Sequence, residues 1–243
     1  RMLKTIPFVC SHLNFWCRRI IGTYHLNRHP VLRDRRRSDP VLAKKNKLLD
    51  AVFRKDRQSF YFPNLKPFLP TIVLENLNIG VLPGTIGDLK SQVMKLNLRA
   101  TQIKSLPKSI GMLQRLTELD VSLNSSLPTL PEAIGDLKCL EKLNARGCNL
   151  KSLPEAIGGL TALKELRVSH NGLRALPDAI GNLKCLAVLD AGSCNLNTLP
   201  DAIGMLRELT TLNVSSNRLT DFPETMKNLE ALGVLLAHGN HLE

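Results

Sequence analysis

"LPEAIGGLTALKELRVSHNGLRALPDAIG", residues 153 to 181, states one phrase twice. Leu153-Pro154-Glu155-Ala156-Ile157-Gly158 returns 23 residues later as Leu176-Pro177-Asp178-Ala179-Ile180-Gly181. Aligning every Leu-Pro or Phe-Pro places Pro83, Pro107, Pro131, Pro154, Pro177, Pro200 and Pro223 in one column, at steps of 24 or 23. Self-similarity at this period is the signature of a solenoid, in which each unit buries its apolar face only by stacking on its neighbours.

Within one unit the apolar residues are Ile157, Leu160, Leu163, Leu166, Val168, Leu173 and Leu176, with Asn171 among them. That order is the leucine-rich repeat pattern, L-x-x-L-x-L-x-x-N/C-x-L. In "LKELRVSHN", Leu166 and Val168 alternate with Glu165, Arg167 and Ser169, the period of a strand buried on one face. The "LPxxIGxL" half carries Ile157 and Leu160 three apart, which suits a short helical or 3₁₀ turn. The pattern therefore predicts an α/β solenoid, a horseshoe with a parallel concave sheet and short turns on its convex side.

About eight coils are expected. The first is degenerate, with Ile72, Leu74, Leu77 and Ile79 ahead of Leu82-Pro83, and the last supplies Leu232, Leu235, Asn240 and Leu242. No polar cap follows, so the expectation is a fragment or an exposed apolar end; Arg1 ahead of Met2 also fits a fragment. Asn124, Asn171 and Asn217, with Cys148 and Cys194 in the same column, are placed to satisfy buried backbone groups. Pro is read as fixing the start of each turn, and Gly158, Gly181 and Gly204 as letting it end. Two coils hold an extra residue, one near Ser91-Gln92 on the outer side and one in "NSSLPTL" just after a strand, at the rim of the concave face.

The net charge of +12 is local. Residues 1–70 hold 16 Lys and Arg against 4 Asp, and 71–243 balance at 17 of each sign. Nine of the ten aromatics also lie before residue 71, the exception being Phe222. We therefore divide the chain into a basic segment, 1–68, and a repeat domain, 69–243. No run approaches the roughly 18 apolar residues of a membrane span, and "IPFVCSHLNFWC" is too interrupted for a signal core. A helix is expected over 40–57, with Asp39 as N-cap, Pro40 in its first turn and Leu48, Leu49, Val52 and Phe53 on its apolar face. Four readings of this segment stand: a helix over the first coil or a disordered basic tail, a contact with anionic membrane or an acidic partner through 18–57, a transit segment, or non-native upstream sequence.

Little chemistry competes with the repeat. Cys139, Cys148, Cys185 and Cys194 recur with the period and read as small buried residues. Cys10, Cys17, His25 and His29 lack the short C-x₂₋₄-C opening of zinc sites. Phosphate loops, nucleophile elbows and H-E-x-x-H helices do not occur, so neither an enzyme nor a cofactor is expected. The glycosylation triplets at Asn124 and Asn213 fall on a buried column and in mid-strand, which makes neither a good acceptor.

The strand positions that alternate away from the core define the candidate binding surface. They are Lys95, Asn97 and Arg99; Glu118, Asp120 and Ser122; Lys142, Asn144 and Arg146; Glu165, Arg167 and Ser169; Val188, Asp190 and Gly192; and Thr211, Asn213 and Ser215. Mixed charge suits a protein partner. A nucleic-acid track would need one sign throughout.

The "LP-E/D-AIG-x-L" phrase, together with "NVSSNRLTDFPETM" at 213–226, resembles the plant intracellular Ras-group-related leucine-rich repeat proteins, over about residues 69–242. The chain ends before any Gly-Val-Tyr-Trp motif of that family. The resemblance implies a non-enzymatic adaptor that binds a Ras-type GTPase or a signalling kinase, with the concave face as the docking surface; a monomer is expected. Secreted repeats usually carry Gly-x-Ile-Pro where this chain has Leu-Pro, which favours the cytoplasm, with a peripheral place at the inner plasma membrane. Two alternatives remain open: the sensor part of an immune receptor, and a protein tethered to membrane or nucleic acid by its basic segment.

Overall fold

The computed structural model describes residues 71–242. The helix expected over 40–57, the rest of the basic segment 1–68 and the Cys10/Cys17/His25/His29 cluster lie outside the described residues. Strands β1 (Thr71–Val73), β2 (Lys95–Asn97), β3 (Glu118–Asp120), β4 (Lys142–Asn144), β5 (Glu165–Arg167), β6 (Val188–Asp190), β7 (Thr211–Asn213) and β8 (Val234–Leu236) pair in parallel, in chain order, in one eight-stranded sheet. The register aligns the middle residues, so Ile72, Leu96, Leu119, Leu143, Leu166, Leu189, Leu212 and Leu235 form one column. All are buried except Leu235. A buried Leu contributes about 1.5–3 kcal/mol, and the repeat supplies one per coil here and several more in the columns beside it.

The opposite side of each coil is a 3₁₀ turn, such as Glu155–Gly159 and Asp178–Asn182. Pro154 precedes the first in extended conformation, φ −69° and ψ 150°. Its carbonyl then accepts the N–H of Ile157, and the Ile157 carbonyl accepts that of Leu160. Bonds three residues apart place Ile157 and Leu160 on the same inward side, as their spacing requires.

The glycine of this phrase does not end the turn. Gly158 lies within it, and a Cβ there would stand 2.6 Å from the Ala179 carbonyl oxygen of the next coil. Its absent side chain sets how closely neighbouring turns pack, and the chain leaves the turn at Leu160 instead, with φ −80° and ψ 64°.

The strands connect to the loops through a column of left-handed residues: Asn76, Ala100, Leu123, Gly147, His170, Ser193, Ser216 and Gly239, with φ from 51° to 68°. This reversal turns the chain inward so that the next residue enters the core. Both extra residues are absorbed at their expected places. The first lies in the bend 90–92 that follows the turn Gly84–Leu89; the second lies in the exposed bend at Ser125 and Ser126. On the last strand, Val234, Leu235 and Leu236 are exposed. No helix among the described residues is long and apolar enough to cross a membrane.

Candidate protein-binding face

Outward residues of the strands align into rows across the sheet. In the first row Lys95, Glu118, Lys142 and Glu165 follow one another, then Val188 and Thr211. Lys95 Nζ lies 2.6 Å from Glu118, and Lys142 Nζ 3.8 Å from Glu165. Opposite charges face each other across adjacent strands, each exposed pair worth about 0.2–1 kcal/mol. Arg167 Nε also contacts Glu165, so this carboxylate holds two cations.

The second row runs Asn97, Asp120, Asn144, Arg167, Asp190 and Asn213. Here each amide reaches toward an acid one coil back. Asn144 Nδ2 donates to Asp120 Oδ2 at 3.1 Å, and Asn213 Nδ2 to Asp190 Oδ1 at 2.8 Å. Asn97, whose neighbour in this row is Val73, reaches instead to Glu75 two residues further on, at 3.4 Å. Gly192 belongs to this arrangement, because a Cβ there would stand 2.9 Å from the Asn213 amide nitrogen.

The third outward position departs from the expectation. Ser122, Ser169 and Ser215 are buried rather than presented. Ser122 and Ser169 donate from their hydroxyls to Asp120 and Asp190, and Ser215 to the Asn213 amide oxygen, beneath the second row. Short side chains at the left-handed bend fold back toward the sheet, whereas arginines at the same position extend. Arg99 spans to Glu75 at 3.3 Å and to the Ser122 hydroxyl at 3.3 Å. Arg146 is exposed and meets no carboxylate among the described residues.

The candidate surface thus divides in two. Asp120, Asn144, Asp190 and Asn213 hold one another in place. Arg146, Val188 and Thr211 have no side-chain partner among the described residues, and Lys142 and Arg167, though they share Glu165, stay more than half exposed, so these five leave reach toward a partner.

Behind the sheet, the Asn and Cys column satisfies the turns. Cys148 and Cys194 are buried, and their thiols donate to the Val121 and Val168 carbonyls of the preceding coil. Burial pushes the Cys148 thiol up to about 11 and raises that of Cys194 as well, since a thiolate there would be stranded away from water. Asn240 belongs to the column, and Thr101 occupies it in the second coil, its hydroxyl donating to the Leu98 carbonyl. Cys139 and Cys185 correct the expectation: both are exposed. They lie in the bend between turn and strand, where the Lys-Cys pair faces out and only the flanking leucines face in.

Residues 123–193 and 163–241 match the family described as leucine-rich repeat region, and 91–150 match that described as leucine rich repeat. The chain belongs to the leucine-rich repeat family. No curated protein sequence matches it. Among solved structures, this leucine-rich repeat chain is similar to a leucine-rich repeat protein of Leptospira interrogans, with 31% identity and a TM-score of 0.53 over 70% of this chain and 54% of that one. It is also similar to the ectodomain of the Arabidopsis receptor kinase HAESA in complex with an IDA peptide hormone ligand, with 30% identity and a TM-score of 0.63 over 72% of this chain and 31% of that one. The plant peptide hormone receptor RGFR1 in complex with RGF2 is 28% identical, with a TM-score of 0.61 over 67% of this chain and 27% of that one. The chain therefore spans about half the length of the Leptospira protein and less than a third of each receptor. Leucine-rich repeat domains are generally non-enzymatic protein-interaction modules.

Proposed function

We propose that this protein is an intracellular scaffold whose concave sheet docks a signalling partner, of the Ras-type GTPase or kinase-pathway class. The observation that carries the reading is the division of the sheet itself. One set of side chains is braced by its neighbours, so Lys142, Arg146, Arg167, Val188 and Thr211 are displayed on a rigid surface at fixed coil spacing, which limits the ordering cost of binding. The wording of the repeats supports the Ras-group branch, and Leu-Pro in place of Gly-x-Ile-Pro supports a cytoplasmic chain, with the inner plasma membrane as its peripheral station.

The test is capture of GTP-analogue-loaded Ras-type GTPases and of signalling kinases by the full chain and by the double variant Arg167→Glu with Thr211→Glu. Loss of capture with an unchanged circular dichroism spectrum is expected. Equal capture by both proteins would sink the assignment of the concave face.

The likeness to two receptors in complex with peptide hormones favours a second reading, in which the same sheet senses an extended peptide as part of a receptor. Peptide-display selection on the same two proteins separates the readings, because a receptor fragment would select short linear sequences.

A further inference from the structure

We propose that the turns leaving the concave strands form a basic rim that binds an extended acidic segment of a protein partner. The proposal rests on the protein-binding reading for its class of partner; its surface meets the concave face at Arg99 and Arg146 and otherwise lies apart from it. The rim consists of the stretches 98–106, 121–130, 145–153, 168–176, 191–199 and 214–222, each running from a strand to the next Leu-Pro or Phe-Pro. These stretches hold Arg99, Lys104, Arg146, Lys151, Arg174 and Arg218, against a single acid, Asp221.

Arg99 is half-buried and the other five cations are exposed. Lys151 donates to the Asn149 side chain at 2.9 Å and Arg99 pairs with Glu75, but Lys104, Arg146, Arg174 and Arg218 meet no carboxylate among the described residues. Elsewhere among the described residues most cations are occupied, Lys90, Lys108 and Arg207 apart. Lys95, Lys142, Lys164 and Arg167 pair with acids, and Lys138 and Lys184 donate to carbonyls at the ends of 3₁₀ turns. Several of the acids near the rim are engaged as well, though among the described residues Asp178 and Asp201 are not. Asp221 accepts the Thr220 hydroxyl, and Glu132 and Glu155, at the starts of their turns, accept the N–H groups of Ala156 and Ala179. The rim is therefore predominantly basic, six cations against Asp221, on a domain whose total charge balances.

Its dimensions fit an extended chain. From the coil of Arg99 to the coil of Arg218 is about 24 Å at ~4.8 Å per strand, the length of roughly seven extended residues. Arg99 with Lys104, and Arg146 with Lys151, recur two coils apart, which suits an acid at about every third residue of such a segment. Single-stranded RNA is a poorer occupant. Phe222 is the sole aromatic among the described residues and packs against the core, so no platform exists for stacking bases.

The test is fluorescence anisotropy of a labelled oligo-glutamate peptide, with an oligo-uridine strand as the competing arm, on the full chain at low and physiological salt. Binding that weakens with salt is expected. The triple variant Lys104→Glu, Lys151→Glu, Arg174→Glu should lose about tenfold or more in affinity, and the neutral triple variant to Gln should fall between it and the parent. The concave variant Arg167→Glu with Thr211→Glu should retain binding, so failure of the rim and failure of the concave reading give different results. Absence of oligo-glutamate binding, equal binding by the triple variants, equal loss in the concave variant, or preference for oligo-uridine would each overturn the proposal.

Discussion

The side chain of Asn171 receives the backbone N–H of Cys148, one coil earlier, at 3.0 Å. The same oxygen accepts the Leu150 N–H at 2.8 Å, while Nδ2 donates to the Ala145 and Val168 carbonyls at 2.9 and 2.7 Å. One amide thus satisfies four buried backbone groups and ties two coils together. Each unsatisfied group costs about 1–3 kcal/mol, so Asn171→Ala should destabilise the domain by about 3 kcal/mol or more in urea unfolding. Asn171→Cys retains a donor for the preceding coil, as Cys194 does, and should cost less. Equal losses for the two variants would show that the Oδ1 contacts dominate.

The thiols should divide by position rather than by repeat. Native alkylation followed by peptide mapping should modify Cys139 and Cys185, with Cys148 and Cys194 reacting only after denaturation. The raised pKa of Cys148 also has a linkage consequence. Below pH 9 the thiol is neutral in both states; between 9 and about 11 it ionises only in the unfolded chain, so folding loses stability as pH rises. Relative to Cys148→Ala, the wild type should therefore weaken from pH 9 to 11, and parallel stability curves for the two proteins would contradict this.

The glycines offer a direct contrast. A methyl group at Gly158 would stand 2.6 Å from a backbone oxygen of the next coil, and Gly158→Ala should cost about 1–3 kcal/mol. At Gly172 the nearest atom lies at 3.4 Å, and Gly172→Ala should be neutral or stabilise by up to about 1 kcal/mol through the unfolded state. Thermal melts of the two variants decide it.

Column periodicity made the strands, the 3₁₀ turns and the Asn and Cys column legible in the sequence, because residues that repeat every coil must share one environment. The errors fall where one residue type serves two environments. Cys139 and Cys148 are nine positions apart in the same coil, and periodic recurrence marked both without telling inside from outside. Ser122 and Arg146 share an outward column, yet the first is buried by its bond to Asp120, since a short hydroxyl folds back and a guanidinium cannot. The left-handed column stayed invisible for a related reason. Ala100 and Leu123 carry φ of 53° and 58°, values that sequence reading reserves for Gly and Asn. The tertiary demand for an inward bend overrides that preference at about 1–3 kcal/mol per residue.

Asp190 and Arg146 make the same distinction testable at the binding face. Asp190 accepts from Ser169 at 2.7 Å, from Asn213 at 2.8 Å and from the Gly192 N–H at 3.3 Å, so its carboxylate is used within the sheet. Removing it leaves Ser169 and Asn213, both more than half covered, short of an acceptor. Asp190→Ala should therefore cost about 1–3 kcal/mol in urea unfolding, and weaken partner capture only in step with that loss. Arg146 is exposed and braces no neighbouring strand, so Arg146→Ala should change stability by no more than about 0.5 kcal/mol while reducing capture. If Arg146→Ala destabilised the domain as much as Asp190→Ala, the separation of braced from displayed side chains would fail, and with it the physical basis for choosing which residues of the sheet meet a partner.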